Sequence, residues 1–522
     1  MSKSVNIPTT IFIPMTKEEW IPKPSKPRRM SIVREFALNT STHGLPGIAR
    51  SQSKHNCIFW TCSFLIFTGV MIYFVSQSIQ NYFQYPTQTS VSVVVERSQT
   101  FPAVTICNYS PMRYDTFIAD FLNYTTSINV TNINDTTFTE QQTSQIYNYL
   151  RNKLNINESM DEYFFSLEFM LIECSYNNQQ CRADDFTFFL SSKYGRCYTF
   201  NAKTKDLNNS KIRQTNDDGG SGKLILRLYA HSDLYVPYVS GDVSVGMVAM
   251  VHDNTELPLI DVAGIELTSG RKHKLGYKKK ANYFLSSPYT ECTDKVPIVM
   301  QAMFDRYGGA DYAYSQGVCY LLCTQAYIYD QCRCVNPKAW SARSVILTDK
   351  NTIFEAPLCN FADGCYMNAT SRIFSTISIW NQFCSLCTQE CSVVDFVITP
   401  SSTLAPSTWY ANITKAFVES HRNIKPTNWT TNWLSEVQNN YVGLEVVCLS
   451  TEVENYTQEA SVQPVDVISN VGGHTGLWIG ISFLSIMEFI EMLYRLLRYQ
   501  YDTTKQIIQN KIRRRQQIHG LT

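Results

Sequence analysis

The sequence predicts an α+β membrane protein, in which two transmembrane helices flank a large, disulfide-rich extracellular domain with a central β-sheet and peripheral helices. Three observations predict this fold class. Two apolar stretches, residues 57–77 and 471–494, are each long enough to cross a bilayer core of roughly 30 Å. Most of the 17 cysteines lie between these stretches. Ten Asn-X-Ser/Thr sequons lie there too, and together they indicate an oxidising, extracellular compartment.

The apolar stretches and their flanks predict the topology. The chain does not begin with a short apolar core and a small-residue cleavage site, so we predict that the first stretch is a signal anchor. Arg50 and Lys54 precede it, and Arg495 and Arg498 follow the second stretch, so the positive-inside rule predicts that both termini are cytoplasmic. We therefore expect a multi-pass plasma membrane protein, embedded in the lipid bilayer, with five segments: a cytoplasmic tail (1–56), transmembrane helix 1 (57–77), an extracellular domain (78–470), transmembrane helix 2 (471–494) and a cytoplasmic tail (495–522).

Alternating β-branched and apolar residues predict the strands of the extracellular domain. The expected strands are residues 89–95, 223–229, 243–251 and 443–449, with helices and polar loops over 111–170. We expect the last strand to return beside the early strands. The basic run from Arg271 to Lys280 is predicted to be a solvated strand and turn, although it could also attract acidic ligands or lipid headgroups.

The sequons between the two apolar stretches are predicted glycosylation sites. They are Asn108, Asn123, Asn129, Asn134, Asn157, Asn208, Asn368, Asn412, Asn428 and Asn455. One further match, Asn39, falls in the N-terminal tail and is interpreted as fortuitous.

The cysteine spacing favours disulfides over metal. From Cys319 to Cys391 the gaps between cysteines are uneven, whereas zinc sites of that density repeat CxxC pairs at a fixed gap. We therefore predict no metal site. The sequence has no Gly-rich phosphate loop, GxSxG or HExxH motif, so we predict neither an enzyme nor a cofactor. A net charge of +1 argues against an overall nucleic-acid-binding protein.

The second apolar stretch carries two carboxylates, Glu488 and Glu491. An ionised carboxylate at bilayer depth normally faces a bundle interior or a water-filled path. With Ser482 and Ser485 they form a polar series of period three, which would drift by about 60° per step on a straight helix. Either the helix is tilted or it is interrupted, and Gly480-Ile481-Ser482 is the expected interruption. The alternative is a plain anchor whose glutamates lie in the headgroup region beside Arg495 and Arg498.

Several sequence features now occur together. They are His43-Gly44 before the first apolar stretch, Phe101-Pro102-Ala103-Val104-Thr105-Ile106-Cys107-Asn108 after it, the cysteine-rich segment, and Gly472-Gly473 through Gly480-Ile481-Ser482 with Glu488. In this combination the chain resembles the degenerin/epithelial sodium channel family from about His43 to Glu491. Within the family it is most similar to the neuropeptide-gated (FMRFamide-activated) sodium channels.

The resemblance implies a trimer, here most simply a homotrimer, whose second helices line a central pore for Na⁺. It implies that Gly480, Ile481 and Ser482 form the selectivity filter. Glu488 and Glu491 would then raise the cation concentration below the filter.

The resemblance also implies residues that act in gating. His43 and Gly44 would form a re-entrant element below the filter. Ser469 and Asn470 fall near the position at which bulky residues hold channels of the family open.

Fourteen cysteines match the disulfide ladder of the family, whereas the sequence alone leaves the pairing open. The implied pairs are Cys107 with Cys197, Cys174 with Cys181, Cys292 with Cys391, Cys319 with Cys387, Cys323 with Cys384, Cys332 with Cys365 and Cys334 with Cys359. Cys448 is left over and is expected to be a buried thiol on a strand.

Two departures from the acid-sensing members bear on the gate. Tyr85-Pro86-Thr87 occupies the stretch where those members carry a histidine, and Tyr289 stands where they place a tryptophan. We therefore expect a ligand-gated, sodium-selective, amiloride-sensitive channel opened by an extracellular amidated neuropeptide. A cationic peptide would prefer acidic and aromatic surface, for which Asp184-Asp185 and Tyr163-Phe164-Phe165 are examples.

Two alternatives stay open at this point. The first is an acid-sensing, constitutively active or protease-tuned sodium channel of the same family. The second, from another functional class, is a non-conducting adhesion or scavenger-type receptor with two membrane anchors, which would leave Glu488 and Glu491 without a role.

Overall fold

The structure of the protein is a computed structural model. It describes residues 28–130, 140–205, 212–215, 222–236, 244–307, 309–347, 352–422, 425–427 and 429–519. The chain divides into two compact units: a helical unit of Met1–Pro86 and Ser461–Thr522, and a sheet unit of Thr87–Ala460. Residues 1–27 of the predicted N-terminal tail lie outside the described residues, as do Asn134, Asn208, Asn428 and Val243.

The α-helices of the described residues are distributed over both units. In chain order they are α1 (Arg28–Asn39), α2 (Leu45–Arg50), α3 (Lys54–Phe83), α4 (Tyr114–Ser127), α5 (Glu140–Asn155), α6 (Leu167–Met170), α7 (Ile260–Ala263), α8 (Ile298–Phe304), α9 (Gln316–Cys332), α10 (Gly364–Ser375), α11 (Ile377–Cys384), α12 (Thr408–His421), α13 (Trp429–Asn440), α14 (Pro464–Ile479) and α15 (Phe483–His519).

The strands of the described residues all belong to the sheet unit. They are β1 (Thr87–Val95), β2 (Gln99–Thr100), β3 (Ala103–Asn108), β4 (Leu171–Tyr176), β5 (Gln179–Gln180), β6 (Phe186–Ser191), β7 (Gly195–Phe200), β8 (Gln214–Thr215), β9 (Leu224–Tyr229), β10 (Gly246–His252), β11 (Ile265–Thr268), β12 (Arg271–Tyr283), β13 (Ser344–Leu347), β14 (Thr352–Glu355), β15 (Ser392–Leu404), β16 (Tyr441–Cys448) and β17 (Glu452–Ala460).

Two larger sheets enclose the main core. The first has eight strands, in the order β1-β17-β12-β16-β9-β4-β5 with β15 also paired to β12, and the second has the order β11-β10-β3-β7-β6. Leu224, Leu226 and Leu228 of β9 are fully buried and pack in one cluster with Phe101 and Phe200. Every residue of β16 is buried, because this strand lies inside the sheet and both of its faces are covered.

The fold class agrees with the prediction of a mixed α+β domain, but the strand order does not. The strand predicted at residues 443–449 is β16, which pairs with β9 and β12 rather than with the early strands. β17 pairs with β1 instead, from Thr87 opposite Ala460 to Val95 opposite Glu452. The sequence gives a weak signal for β17 because charged and amide side chains fill most of its positions.

The basic run from Arg271 to Lys280 lies within one strand. Arg271 to Tyr283 form the continuous strand β12, which pairs with β15, β16 and β17, so the predicted turn is wrong. Its lysines are solvated at the strand surface or paired: Lys272 contacts Glu445 at 2.5 Å and Lys279 contacts Glu96 at 2.9 Å.

The cysteines form seven disulfides, and the partners are those implied by the family resemblance. Four of the bonds are nested: Cys319–Cys387 is outermost, followed by Cys323–Cys384, Cys332–Cys365 and Cys334–Cys359. They tie α9 to α10, to α11 and to the turn after α11, and they tie the turn after α9 to the segment before α10. Cys57, Cys62 and Cys448 are not disulfide-bonded, and Cys448 is buried at the end of β16.

The helices of the helical unit extend beyond the predicted membrane boundaries. α3 runs over Lys54–Phe83 rather than 57–77, and α14 begins at Pro464 rather than residue 471. Hydropathy marks only the apolar part of a helix, whereas the backbone hydrogen bonds continue until a break such as Pro86. The predicted C-terminal tail is helical too, since α15 continues to His519.

Candidate functional site

The break between α14 and α15 is the centre of the candidate site. Among the described residues, Lys54–Phe83 is the helix that alone is long and apolar enough to cross a membrane. Pro464–Ile479 and Phe483–Arg514 satisfy the same test only as a pair, and they are bent by 71° at Gly480–Ser482. The interruption that the polar series predicts is therefore present in the structure at the predicted residues.

Gly480 makes the break possible. Its φ of 69° and ψ of 22° are left-handed, a conformation that costs little only for glycine. The amides of Gly480 and Ile481 donate back to the carbonyl oxygens of Gly476 and Thr475, so the last turn of α14 closes on itself. Non-helical backbone of this kind exists at membrane depth only where it lines a cavity or is buried in protein.

The segment around His43 packs directly against this break. The His43 amide donates to the Ile479 carbonyl oxygen at 2.7 Å. A Cβ at Gly480 would lie 2.6 Å from His43 Nδ1, so the ring occupies the space that glycine leaves open. Gly44, with φ of 87°, turns the chain into α2, and its α-carbon faces the Phe64 ring of α3.

A group of hydroxyls connects the break to a carboxylate. Ser485 Oγ accepts from the Ser482 amide at 3.0 Å and donates to the Gly480 carbonyl oxygen at 3.3 Å. The Ser485 side chain is 4% exposed. On its other side, Ser485 Oγ lies 2.5 Å from Ser41 Oγ. The Ser41 amide in turn donates to Glu488 Oε2 at 3.1 Å.

Further contacts dock α1 on α15. Arg495 forms two hydrogen bonds with the Glu35 carboxylate, at 3.2 and 2.9 Å. The rings of Phe36 and Phe489 meet edge to face at 6.2 Å. Glu488, Glu491 and Arg495 line one small cavity with α1 residues.

The structure therefore places the sequence-predicted residues in two groups. Gly480, Ile481, Ser482, Glu488, His43 and Gly44 lie together at the break. Glu491 is on α15 beyond them, whereas Ser469 and Asn470 are exposed on α14, toward the opposite end of the bent pair. Sequence reasoning missed Ser41, Glu35 and the docking role of Arg495, because their contacts join positions more than 440 residues apart.

The structure keeps only part of the predicted peptide-binding surface in the sheet unit. Tyr163, Phe164 and Phe165 are 3%, 5% and 2% exposed, so they form core rather than a peptide-binding surface. Asp184 stays exposed, and Asp185 pairs with Arg213 at 2.5 Å. The described residues contain no cluster of potential metal ligands.

The sequons differ in accessibility. Asn123, Asn129, Asn157, Asn368 and Asn412 are exposed, and Asn455 is half-buried. Asn108 is 1% exposed and its amide donates to the Ala230 carbonyl oxygen at 2.8 Å. A buried, hydrogen-bonded amide has no room for a glycan, which argues against glycosylation of Asn108.

Comparison with known proteins finds a family match over most of the chain. Residues 36–492 match the family described as amiloride-sensitive sodium channel. Acid-sensing ion channel 1 of Gallus gallus is 24% identical over 90% of this chain and 84% of its own length. The epithelial sodium channel gamma subunit of Neoceratodus forsteri is 25% identical over 68% of this chain and 51% of its own length, so the match spans about half of that relative. A degenerin-like protein of Caenorhabditis elegans is 24% identical over 89% of this chain and 86% of its own length.

Proposed function

The chain belongs to the amiloride-sensitive sodium channel family, and we propose that it is a sodium-selective, amiloride-sensitive channel of the plasma membrane, opened by an extracellular amidated peptide. The observation that carries the conducting role is the broken span at Gly480–Ser482, packed against His43. A simple membrane anchor requires neither such a break nor the Glu488 carboxylate beside it.

The conduction mechanism follows from the oxygen atoms of the break, in which Ser482 is exposed and Gly480 and Ile481 are half-buried. Three copies of this chain, with both termini cytoplasmic, would place three Gly480–Ser482 segments around one axis. Backbone carbonyl oxygens and the Ser482 hydroxyl would then replace part of the hydration shell of Na⁺. Glu488 and Glu491 would concentrate cations on the cytoplasmic side of the constriction.

Peptide gating is supported by the departures from the acid-sensing pattern at Tyr85-Pro86-Thr87 and Tyr289. A peptide opens a channel only if it binds the open state more tightly than the closed state. Exposed acidic surface such as Asp184 suits a cationic peptide.

The test is to express the chain alone in oocytes and to record current while amidated peptides are applied, with the same peptides bearing a free C-terminal carboxylate as matched controls. We expect an amiloride-blocked sodium current with amidated peptides alone. No peptide response together with a robust acid current would contradict peptide gating. Surface-expressed protein that carries no current under any stimulus would contradict the channel and favour the receptor alternative.

Acid gating is a second candidate, favoured by Glu256 in the sheet unit. Burial, together with the charges of Asp253, Asp395 and Glu390, raises the pKa of Glu256 to about 7, although a hydrogen bond to the Asp253 backbone acts in the opposite direction. A folded-state pKa above the ordinary value means that this group stabilises the fold at low pH, and that this stability is lost as pH rises through about 7. A conformation that holds the proton more tightly would be favoured by acid.

Glu256→Gln tests the acid-gating candidate. If the channel is acid-gated through this carboxyl, the substitution abolishes the current change between pH 8 and pH 6, because the amide does not titrate in this range. The matched control is Glu266→Gln on β11. An unchanged pH response in the Glu256 variant would remove this candidate mechanism.

A further inference from the structure

The sheet unit contains a cavity that the proposed function does not use. It has a volume of about 310 Å³ and lies where β6, the segment around α7, α8 and α9 meet. Ile260, Met303 and Val318 are buried in its wall, whereas Val262 and Phe374 at its rim are 86% and 66% exposed. A mostly apolar cavity of this size that is open to solvent is typical of a site for a small organic ligand.

The polar side chains of the wall leave one carboxylate to recognise a ligand. Ser191 Oγ donates to Asp261 Oδ1 at 2.5 Å and accepts from two backbone amides. The hydroxyls of Ser192 and Ser341 bond to each other at 2.8 Å. These hydroxyls are therefore engaged within the protein. Asp261 is exposed, so a ligand in the cavity can reach its carboxylate.

The cations near this carboxylate are directed elsewhere. Lys338 lines the cavity, but its Nζ lies 5.4 Å from the ring centroid of Phe361, which is not part of the wall. The Nζ of Lys193 lies over the Tyr194 ring, 4.9 Å from its centroid. Burial raises the pKa of Asp261, although hydrogen bonds and the charge of Lys193 act in the opposite direction. A partly desolvated carboxylate of this kind is stabilised by a cation that enters the cavity.

From this combination we propose that the cavity binds a small organic amine, whose apolar group fills the cavity and whose ammonium group bonds to the Asp261 carboxylate. A hydrogen bond between two charged groups is roughly twice as strong as one between neutral groups, so Asp261 would fix the orientation of the ligand. The inference goes beyond the proposed function, because binding at this site does not require ion conduction.

Two sources offer this chemistry. A free amine carries an ammonium group beside an apolar group, and so does the N-terminal residue of a peptide. Either ligand would contact the α7 segment and α9 at once, and should therefore stabilise the sheet unit against unfolding.

The experiment uses the detergent-solubilised full chain and para-fluorophenethylamine as the probe, with binding measured by fluorine NMR against protein-free micelles. We expect the amine to bind, and para-fluorophenylpropionate, which has the same ring and the opposite charge, not to bind. Asp261→Asn should weaken binding of the amine by at least about tenfold, because it removes a charge-assisted hydrogen bond. The asparagine oxygen can still accept from Ser191, so this variant tests the charge rather than the local contact.

Two further variants complete the test. Asp330→Asn is the matched control, because Asp330 is an exposed carboxylate on α9 that does not line the cavity. Leu321 is half-buried in the wall, so Leu321→Trp should fill the cavity and abolish binding of the amine. Thermal unfolding without the probe shows whether each variant is folded.

Competition identifies the source of the amine. Displacement of the probe by an amidated peptide but not by its N-acetylated form assigns the site to a peptide N-terminus. Displacement by neither form assigns it to free amines.

Three results would overturn the proposal. They are equal affinities of the wild-type chain and Asp261→Asn for the amine, unchanged binding in folded Leu321→Trp, and preferential binding of the propionate, which would assign the cavity to Lys338. Absence of amine binding to the folded wild-type chain would overturn it too, as expected if a second copy of the chain covers the rim. None of these measurements needs an open channel, so their failure is distinguishable from failure of the proposed function.

Discussion

At the scale of single residues, Gly480 meets two requirements that no other residue type satisfies. Its backbone is left-handed, which costs an L-residue roughly 1–2 kcal/mol. Its missing side chain also gives room to the His43 ring, which a Cβ would approach to 2.6 Å. The conformation and the contact are independent, so they can be separated by mutation.

Gly480→Ala should therefore reduce sodium selectivity and open-channel current together. His43→Ala in the same chain should relieve the contact but not the backbone cost, so we expect the double variant to recover only partly. The reversal potential measures the sodium selectivity, and the current divided by the surface labelling measures the activity per channel at the cell surface. Full activity of Gly480→Ala alone would contradict the assignment of this residue to the constriction.

The residue scale also shows what the sequence can predict. Gly480 could be identified because a polar period of three does not fit a straight helix, and because only glycine tolerates the break. Ser41 could not, since its partners Ser485 and Glu488 are distant in sequence and a lone serine carries no pattern. Tyr163-Phe164-Phe165 was predicted as surface because consecutive aromatic residues occur both in ligand-binding surfaces and in hydrophobic cores, and the sequence does not distinguish the two.

At the scale of elements, the nested disulfides replace part of a hydrophobic core. α9, α10 and α11 share only a small buried cluster around Tyr327, Ile328 and Ile373. α10 and α11, of 12 and 8 residues, are short helices with little apolar contact beyond this cluster, so covalent links to α9 help to hold them in place. The innermost bond, Cys334–Cys359, spans 25 residues.

Removal of that bond should destabilise the sheet unit measurably. Loop-closure entropy for a loop of this size predicts a loss of about 3 kcal/mol for the paired substitution of Cys334 and Cys359 by Ala. Thermal unfolding of the detergent-solubilised protein, followed by size-exclusion chromatography, is the measurement. Cys62→Ser is the control, because Cys62 is exposed on α3 and forms no disulfide. Equal unfolding temperatures for both variants would contradict the stabilising role.

Elements also differ in how well their sequences predict them. β9 and β16 were predictable because buried apolar residues dominate them, whereas β17 was missed because charged and amide side chains fill most of its positions. The ends of α3 and α14 were misplaced because membrane hydropathy does not mark where a helix stops.

At the scale of the whole molecule, the proposed topology makes the sheet unit extracellular. The exposed sequons Asn123, Asn129, Asn157, Asn368 and Asn412 should then carry glycans. Each Asn→Gln substitution at these positions should remove one glycan and so increase the mobility of the protein on a gel.

Two controls are built into the chain. Asn108→Gln should leave the mobility unchanged, because Asn108 is buried, and Asn39→Gln should do the same, because that tail is proposed to be cytoplasmic. A mobility shift for Asn39→Gln would place the N-terminus outside the cell and contradict the topology.

The nesting of the four disulfides also determines what proteolysis can do to this chain. A single cut anywhere between Cys319 and Cys387 leaves both fragments covalently joined through at least one bond. The nick would be invisible on a non-reducing gel and would appear only after reduction. Release of a peptide requires two cuts, either both between the same neighbouring cysteines or one on each side of an inner bond, for example one between Cys323 and Cys332 and one between Cys365 and Cys384. Any protease that regulates this chain by excision within the nested region must therefore cut twice, in one interval or in the two intervals that flank the same inner bond.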